Sequence, residues 1–450
     1  MTSGPVRKYI GCQIIAVAIC CDRTDSYRQQ KNNYRMREFI FFSDMIIASF
    51  LAQFRRPQLT NMIRRIISVA ALFAAASQCA HAQSSVTLYG LLDEGVTYAS
   101  NVSGHHQVAL ASGVMQGNRW GLLGSEDLGN QMKAIFKLEN GFDLSTGAMG
   151  QGGLEFGRTA WVGLSTAEGT VTFGRQYDSN VDYLGILAAA NDGASGMAAH
   201  PGDLDNMLNS YRTNNAIKYR SPTYRGLSFD TMYSLGGVAG DISRNQVFSF
   251  GVGYKSGPTT LGLTYVNAHN PNVSYFGTSS ATALTAATTN ATSRVFSGFL
   301  SAHVYQSASA GGSYVFGPNK FTVLYSRVEF SGLGDAQAGP NSLGYAGSAT
   351  FNDVEADWKY TLRPDLSLIG AYNFLGSRSF GGHGGMHYHQ GTVGVDYALS
   401  KTTDVYAVGL YQRASGKDST GRTAVADLYS LGASDSASQT AVRIGLRKKF

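Results

Sequence analysis

Apolar and polar side chains alternate along segments of roughly ten residues from Ser85 to the end of the chain, and this alternation limits the fold more than any other feature. In the last segment, Val442 and Ile444 fall on one side of an extended chain, while Arg443 falls on the other. Successive side chains of a strand point to opposite faces, so each segment predicts a strand with one apolar and one polar face.

The connections between these segments are alternately short and long. Seven short ones are rich in Gly, Pro, Asp and Asn, which tight reversals need; they lie at 127–130, 167–169, 223–226, 256–258, 317–319, 363–365 and 400–402. Eight longer ones lie near 100–115, 143–153, 178–213, 237–245, 268–300, 331–349, 378–386 and 414–438. Together they predict sixteen antiparallel strands with short turns at one end and long loops at the other.

Residues 62–82 have the three-part layout of a secretory signal peptide. Arg64 and Arg65 form a basic start, Ile66–Ala76 an apolar core, and Ala80 and Ala82 a small-residue cleavage site. Because a signal peptide opens a protein, we interpret 1–61 as a non-native extension from a mis-assigned start, 62–82 as the signal peptide and 83–450 as one barrel domain. The alternative for 1–61 is a genuine cytoplasmic or membrane-bound extension.

Removal of residues 1–82 changes the charge and the cysteine content. The whole chain has 36 basic and 30 acidic residues, of which 11 and 4 precede residue 83, so 25 and 26 remain and the net charge is −1. A nucleic-acid partner therefore loses its electrostatic support. All four cysteines also precede residue 83, which excludes a disulfide framework or a thiolate metal site in the mature chain.

A soluble antiparallel sheet shows the same alternation, with its apolar face inward. The signal peptide, the even strand count and the charged residues on the polar face of nearly every strand favour a membrane barrel instead. Sixteen strands enclose a lumen too wide for side chains to fill. The sequence thus predicts an all-β, 16-stranded transmembrane β-barrel with a water-filled interior.

Several motifs resemble those of the Gram-negative general porins, in particular the β-proteobacterial type. They are Ser85–Asp93, Asn118–Gly121, Gly124–Asn130, Gly157–Leu164, Gly169–Gln176, Arg212–Tyr219 and the C-terminal Phe450. The resemblance covers about 83–450. Two positions depart from it: Glu94 stands on the predicted lipid-facing side of the first strand, where a small residue is usual, and Leu123 stands where a basic residue is frequent.

The resemblance implies an outer-membrane protein for passive passage of ions and small hydrophilic solutes. It also implies a homotrimer that contacts outer-membrane lipid and lipopolysaccharide, with a contact surface near the first and last strands that includes Val86, Leu88, Leu446 and Phe450. Phe450 further matches the C-terminal aromatic residue that barrel-assembly machinery reads.

In the resembled family the third external loop folds into the barrel and narrows it. Here that loop spans about 178–213, and its acidic residues are Asp178, Asp182, Asp192, Asp203 and Asp205. The matching basic residues of the wall are Arg119, Arg158 and Arg212. Opposed charges of this kind create a transverse field that orients polar solutes, and the excess sign sets ion preference. The alternative for each arginine is a solvated lumen charge without a role in selectivity, and Arg447, on the lumen face near the other end, serves as a comparison.

Catalytic motifs are missing from the sequence: there is no Gly-rich phosphate loop after a strand and no nucleophile elbow. His383, His387 and His389 could ligate a metal, but exposed histidines of an external loop are the preferred interpretation, so no metal, cofactor or enzymatic activity is predicted. Two alternatives remain, a substrate-specific channel for sugars or organic anions on the same barrel, and a non-conducting structural or adhesive barrel.

Overall fold

The computed structural model describes residues 84–279, 285–382 and 384–450, and their strands form one continuous antiparallel sheet. The predicted extension and signal peptide lie outside the described residues, as does His383. The strands are β1 (Ser85–Val102), β2 (His105–Ser112), β3 (Arg119–Gly129), β4 (Met132–Gly141), β5 (Thr159–Thr166), β6 (Gly169–Gln176), β7 (Thr213–Arg220), β8 (Leu227–Ser234), β9 (Val247–Ser256), β10 (Thr259–His269), β11 (Val304–Phe316), β12 (Asn319–Leu333), β13 (Gly347–Arg363), β14 (Leu366–Ser377), β15 (His387–Ser400), β16 (Thr403–Ser415) and β17 (Ser438–Lys449).

The sheet closes on itself because β1 pairs with β17, from Leu91↔Lys449 to Ala99↔Ala441. On its other side β1 pairs with two segments, β3 along Ser85–Leu91 and β2 along Glu94–Val102. β2 and β3 therefore share one position in the wall, and the seventeen segments make a closed barrel of sixteen strands. The predicted architecture is confirmed.

All seven short turns join strands where the sequence predicts them, and seven of the eight long connections are long loops. Four of these are loop 2 (142–158), loop 3 (177–212), loop 5 (270–303) and loop 8 (416–437).

The prediction of a long first loop at 100–115 is wrong. Ser103 and Gly104, both with positive φ, turn the chain within two residues, and β2 pairs with β1 immediately afterwards. The Gly- and Ser-rich composition of this stretch indicated a loop, yet 105–112 alternates well enough to extend the hairpin. The irregular part is 113–118, an interruption within the second strand of the wall.

The two faces of the wall have the predicted polarity. On β17, Val442 and Ile444 are exposed on the outer face, and Arg443 is fully buried on the inner face. The same parity places Val323 of β12 outside and Thr322 inside. No helix of the described segments is long and apolar enough to cross a membrane.

An apolar core lies inside the barrel, at the end of β10–β15 that carries the long loops. Four of the ten buried aromatic rings that the described residues contribute to this core come from loop 5, and they pack against inward-facing residues of β11, β12 and β13. Phe330 of β12 lies at its centre, with ring centroids 6.1 Å from Phe276, 6.0 Å from Phe296 and 5.4 Å from Tyr305. Burial of aromatic side chains supplies the stabilisation that holds this loop inside the lumen.

Candidate functional site

The three predicted wall arginines surround one cavity of about 290 Å³. Arg119 begins β3, Arg158 directly precedes β5, and Arg212 ends loop 3 just before β7. The other lining residues come from the 113–117 segment and from loops 2, 3 and 8, and include Gly113, Gln116, Gln151, Asn191, Gly196, Asn209 and Tyr429. The arginines thus converge on a polar opening that loop 3 and loop 8 border on the other side.

Tyr177, the first residue of loop 3, links two of these arginines. Its hydroxyl accepts hydrogen bonds from Arg158 Nη2 at 3.1 Å and from Arg212 Nη2 at 3.4 Å, and the Arg212 guanidinium lies 5.3 Å from the ring centroid. Arg212 Nη1 also donates to the Ser210 carbonyl at 2.9 Å. Two guanidinium groups are therefore held in fixed positions while their charges remain directed at the cavity.

Glu139 of β4 is the counter-charge that the sequence analysis missed. Its Oε1 accepts from Arg158 Nε at 2.8 Å, Lys137 Nζ lies 3.3 Å from Oε2, and the Tyr89 hydroxyl donates to Oε2 at 2.6 Å. Its position on the polar parity of β4, near the strand end that carries the long loops, could have indicated it. The carboxylate neutralises part of the basic wall.

A fourth guanidinium belongs to Arg175 of β6, within the Gly169–Gln176 motif. Its Nε donates to the Gly157 carbonyl at 2.9 Å, and its Nη1 donates to Asn214 Oδ1 at 2.5 Å and to the Thr278 carbonyl at 2.6 Å. Arg175 therefore ties the end of β6 to loop 2, to β7 and to loop 5.

Two of the five predicted loop aspartates form ion pairs with the barrel wall. Asp182 binds Lys218 and Arg220 of β7. Asp192 lies 2.7 Å from Lys320 Nζ of β12 and 3.0 Å from Lys359 Nζ of β13. Both carboxylates keep about a fifth of their side-chain surface exposed, at 20% and 18%. They anchor loop 3 to opposite sides of the lumen, each with two basic partners.

The other three aspartates are buried and hold the loop itself together. Asp178 Oδ2 accepts from the Tyr275 hydroxyl at 2.5 Å and from Asn206 Nδ2 at 2.8 Å. Asp203 accepts from the amides of Leu208 and Ser210 at 2.9 and 3.0 Å. Burial, with the nearby carboxylate, raises the pKa of Asp203 to about 6. The sequence predicts that these residues face the ion path, whereas in the structure both carboxylates are buried in these contacts.

Asp205 belongs to a buried cluster with His200, also of loop 3. His200 Nδ1 lies 2.8 Å from Asp205 Oδ2 and 3.4 Å from Asp353 Oδ1, and His200 Nε2 lies 3.5 Å from Glu355 Oε2. Burial alone would lower the pKa of His200, but the carboxylates of Asp205 and Asp353 raise it well above its ordinary value. A protonated histidine thus joins the middle of loop 3 to β13.

The interruption of the second strand, 113–118, reaches the tip of loop 3. Val114 O accepts hydrogen bonds from Gly196 N at 2.9 Å and from Ser195 Oγ at 3.0 Å. On its other side Asp93 Oδ2 accepts from the amides of Met115 at 2.7 Å and Gln116 at 3.2 Å. Loop 3 is therefore held from both walls, which no feature of the sequence analysis anticipated.

Arg447, the predicted comparison residue, faces the lumen as expected. It pairs with Asp404 at 3.0 Å and Asp396 at 3.2 Å, and its Nη1 donates to Gln116 Oε1 at 3.3 Å. Gln116 lines the arginine cavity. Arg447 is thus connected to the site, and a basic residue farther away is the better control.

Phe450 ends the chain on the outer face, where 54% of its surface is exposed. Its backbone exchanges two hydrogen bonds with Gly90, at 2.9 and 3.1 Å. A Cβ atom at Gly90 would lie 2.3 Å from Phe450 Cζ and 2.8 Å from the Arg119 carbonyl oxygen, so glycine at this position leaves room for the ring where it now lies. Leu123, the other sequence departure, is 41% exposed on the inner face of β3, as predicted.

A family model described as Gram-negative porin matches residues 68–419, which is well over half of the chain. The chain belongs to the Gram-negative porin family. An outer membrane porin protein of Bordetella pertussis is 30% identical over 417 residues, covering 86% of this chain and 100% of the relative. The porin is accordingly a protein of the Gram-negative outer membrane and allows general diffusion through its barrel.

Solved structures agree with the fold. An anion-selective porin from Comamonas acidovorans superimposes with a TM-score of 0.61 at 22% identity and covers 82% of this chain and 100% of its own. The trimer form of OmpT from Vibrio cholerae superimposes with a TM-score of 0.55 at 15% identity, covering 82% and 99%. At these identities the similarity concerns the barrel alone.

Proposed function

We propose that this porin passes small hydrophilic solutes with a preference for anions, and that Arg119, Arg158 and Arg212 set the preference. The observation that carries the proposal is their convergence on one cavity. Glu139 neutralises one of the three positive charges, so two remain unbalanced at the cavity wall. A low-dielectric wall lined by one sign of charge raises the local concentration of counter-ions, here anions.

The aspartates of loop 3 do not cancel this excess. Asp182 and Asp192 each face two basic side chains, and Asp178, Asp203 and Asp205 are buried in hydrogen bonds within the loop or to the wall. The sequence predicts an electric field between an acidic loop and a basic wall. Because the loop aspartates are paired or buried, we infer that the arginines of the wall determine the sign of this field. The description of the Comamonas protein as anion-selective points in the same direction.

The test is a reversal potential in a planar bilayer with a salt gradient across it. The wild-type porin is expected to give the sign of anion preference, and Arg119→Ala should reduce the anion-to-cation permeability ratio by about twofold. The effect should shrink in concentrated salt, because the Debye length falls to about 3 Å at 1 M. Cation preference of the wild type would refute the proposal.

A substrate-specific channel is the second candidate, favoured by the same convergence of guanidinium groups, since guanidinium binds carboxylate and phosphate bidentately. Such a channel would show conductance block by inorganic phosphate that saturates with concentration. General diffusion predicts block that grows without saturation. The alternative of a non-conducting barrel predicts no current at all.

We further propose that the mature protein assembles as a homotrimer in contact with outer-membrane lipid and lipopolysaccharide, and that it has no enzymatic activity. The expected contact surface lies near β1 and β17. Unheated protein should migrate on a detergent gel as a large species that falls to about one third of its size on boiling. Migration as a monomer without heating would refute the trimer.

We also propose that the protein is exported through a cleaved signal peptide and inserted by the barrel-assembly machinery. Residues 62–82 should be removed, so N-terminal sequencing of outer-membrane protein should begin at Gln83, and peptides from 1–61 should not be found. The barrel-assembly machinery is expected to read Phe450, whose ring is exposed on the outer face. Deletion of Phe450 should therefore leave precursor in the periplasm, whereas normal outer-membrane levels after deletion would contradict this role.

A further inference from the structure

Of the three tryptophans in the sequence, only Trp161 faces the lumen. Trp120 and Trp358 stand on the outer face of the wall, 36% and 39% exposed, where membrane barrels normally carry aromatic residues. On β5 the exposed outward residues are Val162 and Leu164, so Trp161, which has the opposite parity, points inward. Trp161 is partly buried, and the rest of its ring leaves apolar surface in contact with the water of the pore. A solute with an apolar face would cover that surface.

The neighbours of Trp161 across the wall combine an ammonium group with apolar surface. Lys137 of β4 is its direct cross-strand partner, and Leu123 of β3 is the direct partner of Lys137 on the other side. Leu123 is exposed on the inner face, at a position where the porin motifs frequently have a basic residue. Gly174 of β6, directly opposite Trp161, has no side chain that could cover the ring. One cation therefore stands between two apolar side chains on three adjacent strands.

A cavity of about 310 Å³ adjoins the indole ring, and we call it the Trp161 pocket. Tyr177 lines this pocket and connects it to the arginine cavity, because its hydroxyl accepts hydrogen bonds from Arg158 and Arg212. Two further lining residues, Thr170 at the start of β6 and Arg220 at the end of β7, lie beside short turns. A solute that leaves the arginine cavity toward the short turns therefore meets the Trp161 pocket next.

The charged residues that β7 contributes to the pocket are balanced by carboxylates. Lys218 and Arg220 are both paired with Asp182 of loop 3. Their nitrogens also lie near Asp230 Oδ2 of β8, at 3.3 Å for Lys218 Nζ and 3.6 Å for Arg220 Nη2. Two positive and two negative charges thus form one group, which offers a solute no excess of either sign.

Lys137 carries the excess charge of the pocket. Its Nζ lies 3.3 Å from Glu139 Oε2, but Glu139 also neutralises Arg158, whose Nε donates to Oε1 at 2.8 Å. The Lys137 side chain is 24% exposed. An ammonium group has three donors, so the contact with Glu139 leaves others for a solute. The pocket therefore combines a single excess positive charge with a flat apolar ring.

We propose that the Trp161 pocket is a low-affinity binding site for aromatic monocarboxylates, with the aromatic ring of the solute on Trp161 and its carboxylate on Lys137. Aromatic rings stack on indole, and a carboxylate forms charge-assisted hydrogen bonds with an ammonium group. A monoanion matches the single excess charge, whereas a neutral sugar leaves that charge unused. The inference deepens the proposed anion preference and rests on it, because the arginine cavity brings the anion to the pocket.

Block of single-channel conductance by benzoate tests the proposal in a planar bilayer. In a fixed chloride background, benzoate should reduce the wild-type conductance along a saturating curve, whereas acetate, which lacks the ring, should not saturate in the same range. Trp161→Ala and Lys137→Met should each raise the half-saturating benzoate concentration roughly tenfold, because each removes one of the two main contacts. An unchanged benzoate curve for Trp161→Ala, or equal curves for benzoate and acetate, would overturn the proposal.

Two variants are matched controls. Trp358→Ala removes the same ring from the outer face of the wall. Lys133→Met removes the same charge from the inner face of β4, four residues nearer the short turn, where Lys133 is exposed. Both should keep the half-saturating benzoate concentration within about twofold of the wild type, because an exposed charge at a distance is screened. Equal effects of Lys133→Met and Lys137→Met would contradict the assigned carboxylate contact.

A fluorescence titration covers the case in which Trp161→Ala fails to insert. Trp120→Phe combined with Trp358→Phe leaves Trp161 as the only tryptophan of the chain. Benzoate should change the emission of this folded variant in detergent along a saturating curve, and acetate and glucose should leave the emission unchanged. No change at the benzoate concentrations that block the channel would overturn the proposal. A change that saturates with glucose and not with benzoate would assign the pocket to sugars and overturn it as well.

The pocket and the anion preference can fail separately. Trp161→Ala removes no charge, so its reversal potential in chloride should equal that of the wild type even though benzoate binding falls. Anion preference without saturable benzoate binding would refute the pocket alone. Cation preference of the wild type would refute the proposed function, and the fluorescence titration, which needs no ion flow, would still decide whether benzoate binds at Trp161.

Discussion

The lumen on the two sides of loop 3 is filled in opposite ways. On the side of Arg119, Arg158 and Arg212, which we call the open side, the lining is polar and positively charged and surrounds a cavity. On the side of β10–β13, which we call the filled side, rings from loop 5 fill the space and are almost completely buried. Both sides are inward-facing surfaces of the same sheet, so the difference comes from what the loops bring to them.

The comparison shows how contacts with several parts of the barrel can hold a long loop in one position. Loop 3 is held by ion pairs to β7, β12 and β13, by Val114 on the opposite wall and by the aromatic core through Tyr275. Loop 5 is in turn tied to loop 8, because Arg294 pairs with Asp418 and Gly298 N donates to Ser419 Oγ at 2.9 Å. The filled side supports the loop that shapes the open side.

The largest expected effect comes from the filled side. Phe330→Ala should lower the free energy of unfolding by about 3–5 kcal/mol, because Phe330 contacts rings of loop 5 on several sides and the barrel cannot collapse around the space. Heat or urea unfolding in detergent measures the loss. Phe321→Ala, an outward residue of the same strand that is 51% exposed, is the control and should cost much less.

The second prediction concerns the anchor between loop 3 and β13. His200→Gln should destabilise the folded porin by about 3 kcal/mol at neutral pH, because Asp205, Asp353 and Glu355 lose their positive partner in a buried site. The measurement is the unfolding temperature in detergent. An unfolding temperature equal to that of the wild type would show that the cluster does not hold the loop.

The same anchor predicts a pH dependence with a definite sign. The folded-state pKa of His200 lies well above its unfolded value of 6.5, so its contribution is complete below about pH 6.5 and is lost as pH rises through the folded pKa. The difference in stability between the wild type and His200→Gln should therefore shrink in strongly alkaline buffer. A difference that grows with pH would contradict a protonated histidine.

A smaller effect is expected on the open side. Glu139→Gln removes the negative charge that neutralises Arg158 and keeps one acceptor oxygen for Arg158 Nε, while the amide nitrogen takes the place of the oxygen that accepts from the Tyr89 hydroxyl. The anion-to-cation permeability ratio should rise by about twofold, which corresponds to about 0.4 kcal/mol. A bilayer reversal potential measures this ratio, and an unchanged ratio would show that Glu139 does not face the ion path.

The strand pattern made most of the barrel predictable, because alternation and turn chemistry are local properties. They placed the faces of β17 and the turns correctly, and the family motifs selected three arginines that share one cavity. The predictions that the structure does not bear out depend on contacts between residues that are distant in sequence. Whether 105–112 pairs with β1 depends on a hairpin register, and whether Asp203 faces water depends on how loop 3 packs against loop 5, so neither follows from composition.

Glu139 and His200 show the same limit. Glu139 becomes a counter-charge because Arg158 lies beside it on the inner wall, nineteen residues later in the chain. His200 becomes a structural cation because β13 supplies two carboxylates from more than 150 residues away. A residue type can be read from the sequence, but its electrostatic partner depends on tertiary structure.

The central claim, that a local arginine cavity rather than the total lumen charge sets ion preference, is tested most directly by comparing two single-charge variants. Arg119→Ala removes a charge from the cavity, whereas Arg363→Ala removes one from the last residue of β13, beside a short turn, where the side chain is 56% exposed. The reversal potential in a salt gradient should move toward cation preference for Arg119→Ala and stay at the wild-type value for Arg363→Ala. Equal shifts for both variants would contradict the claim.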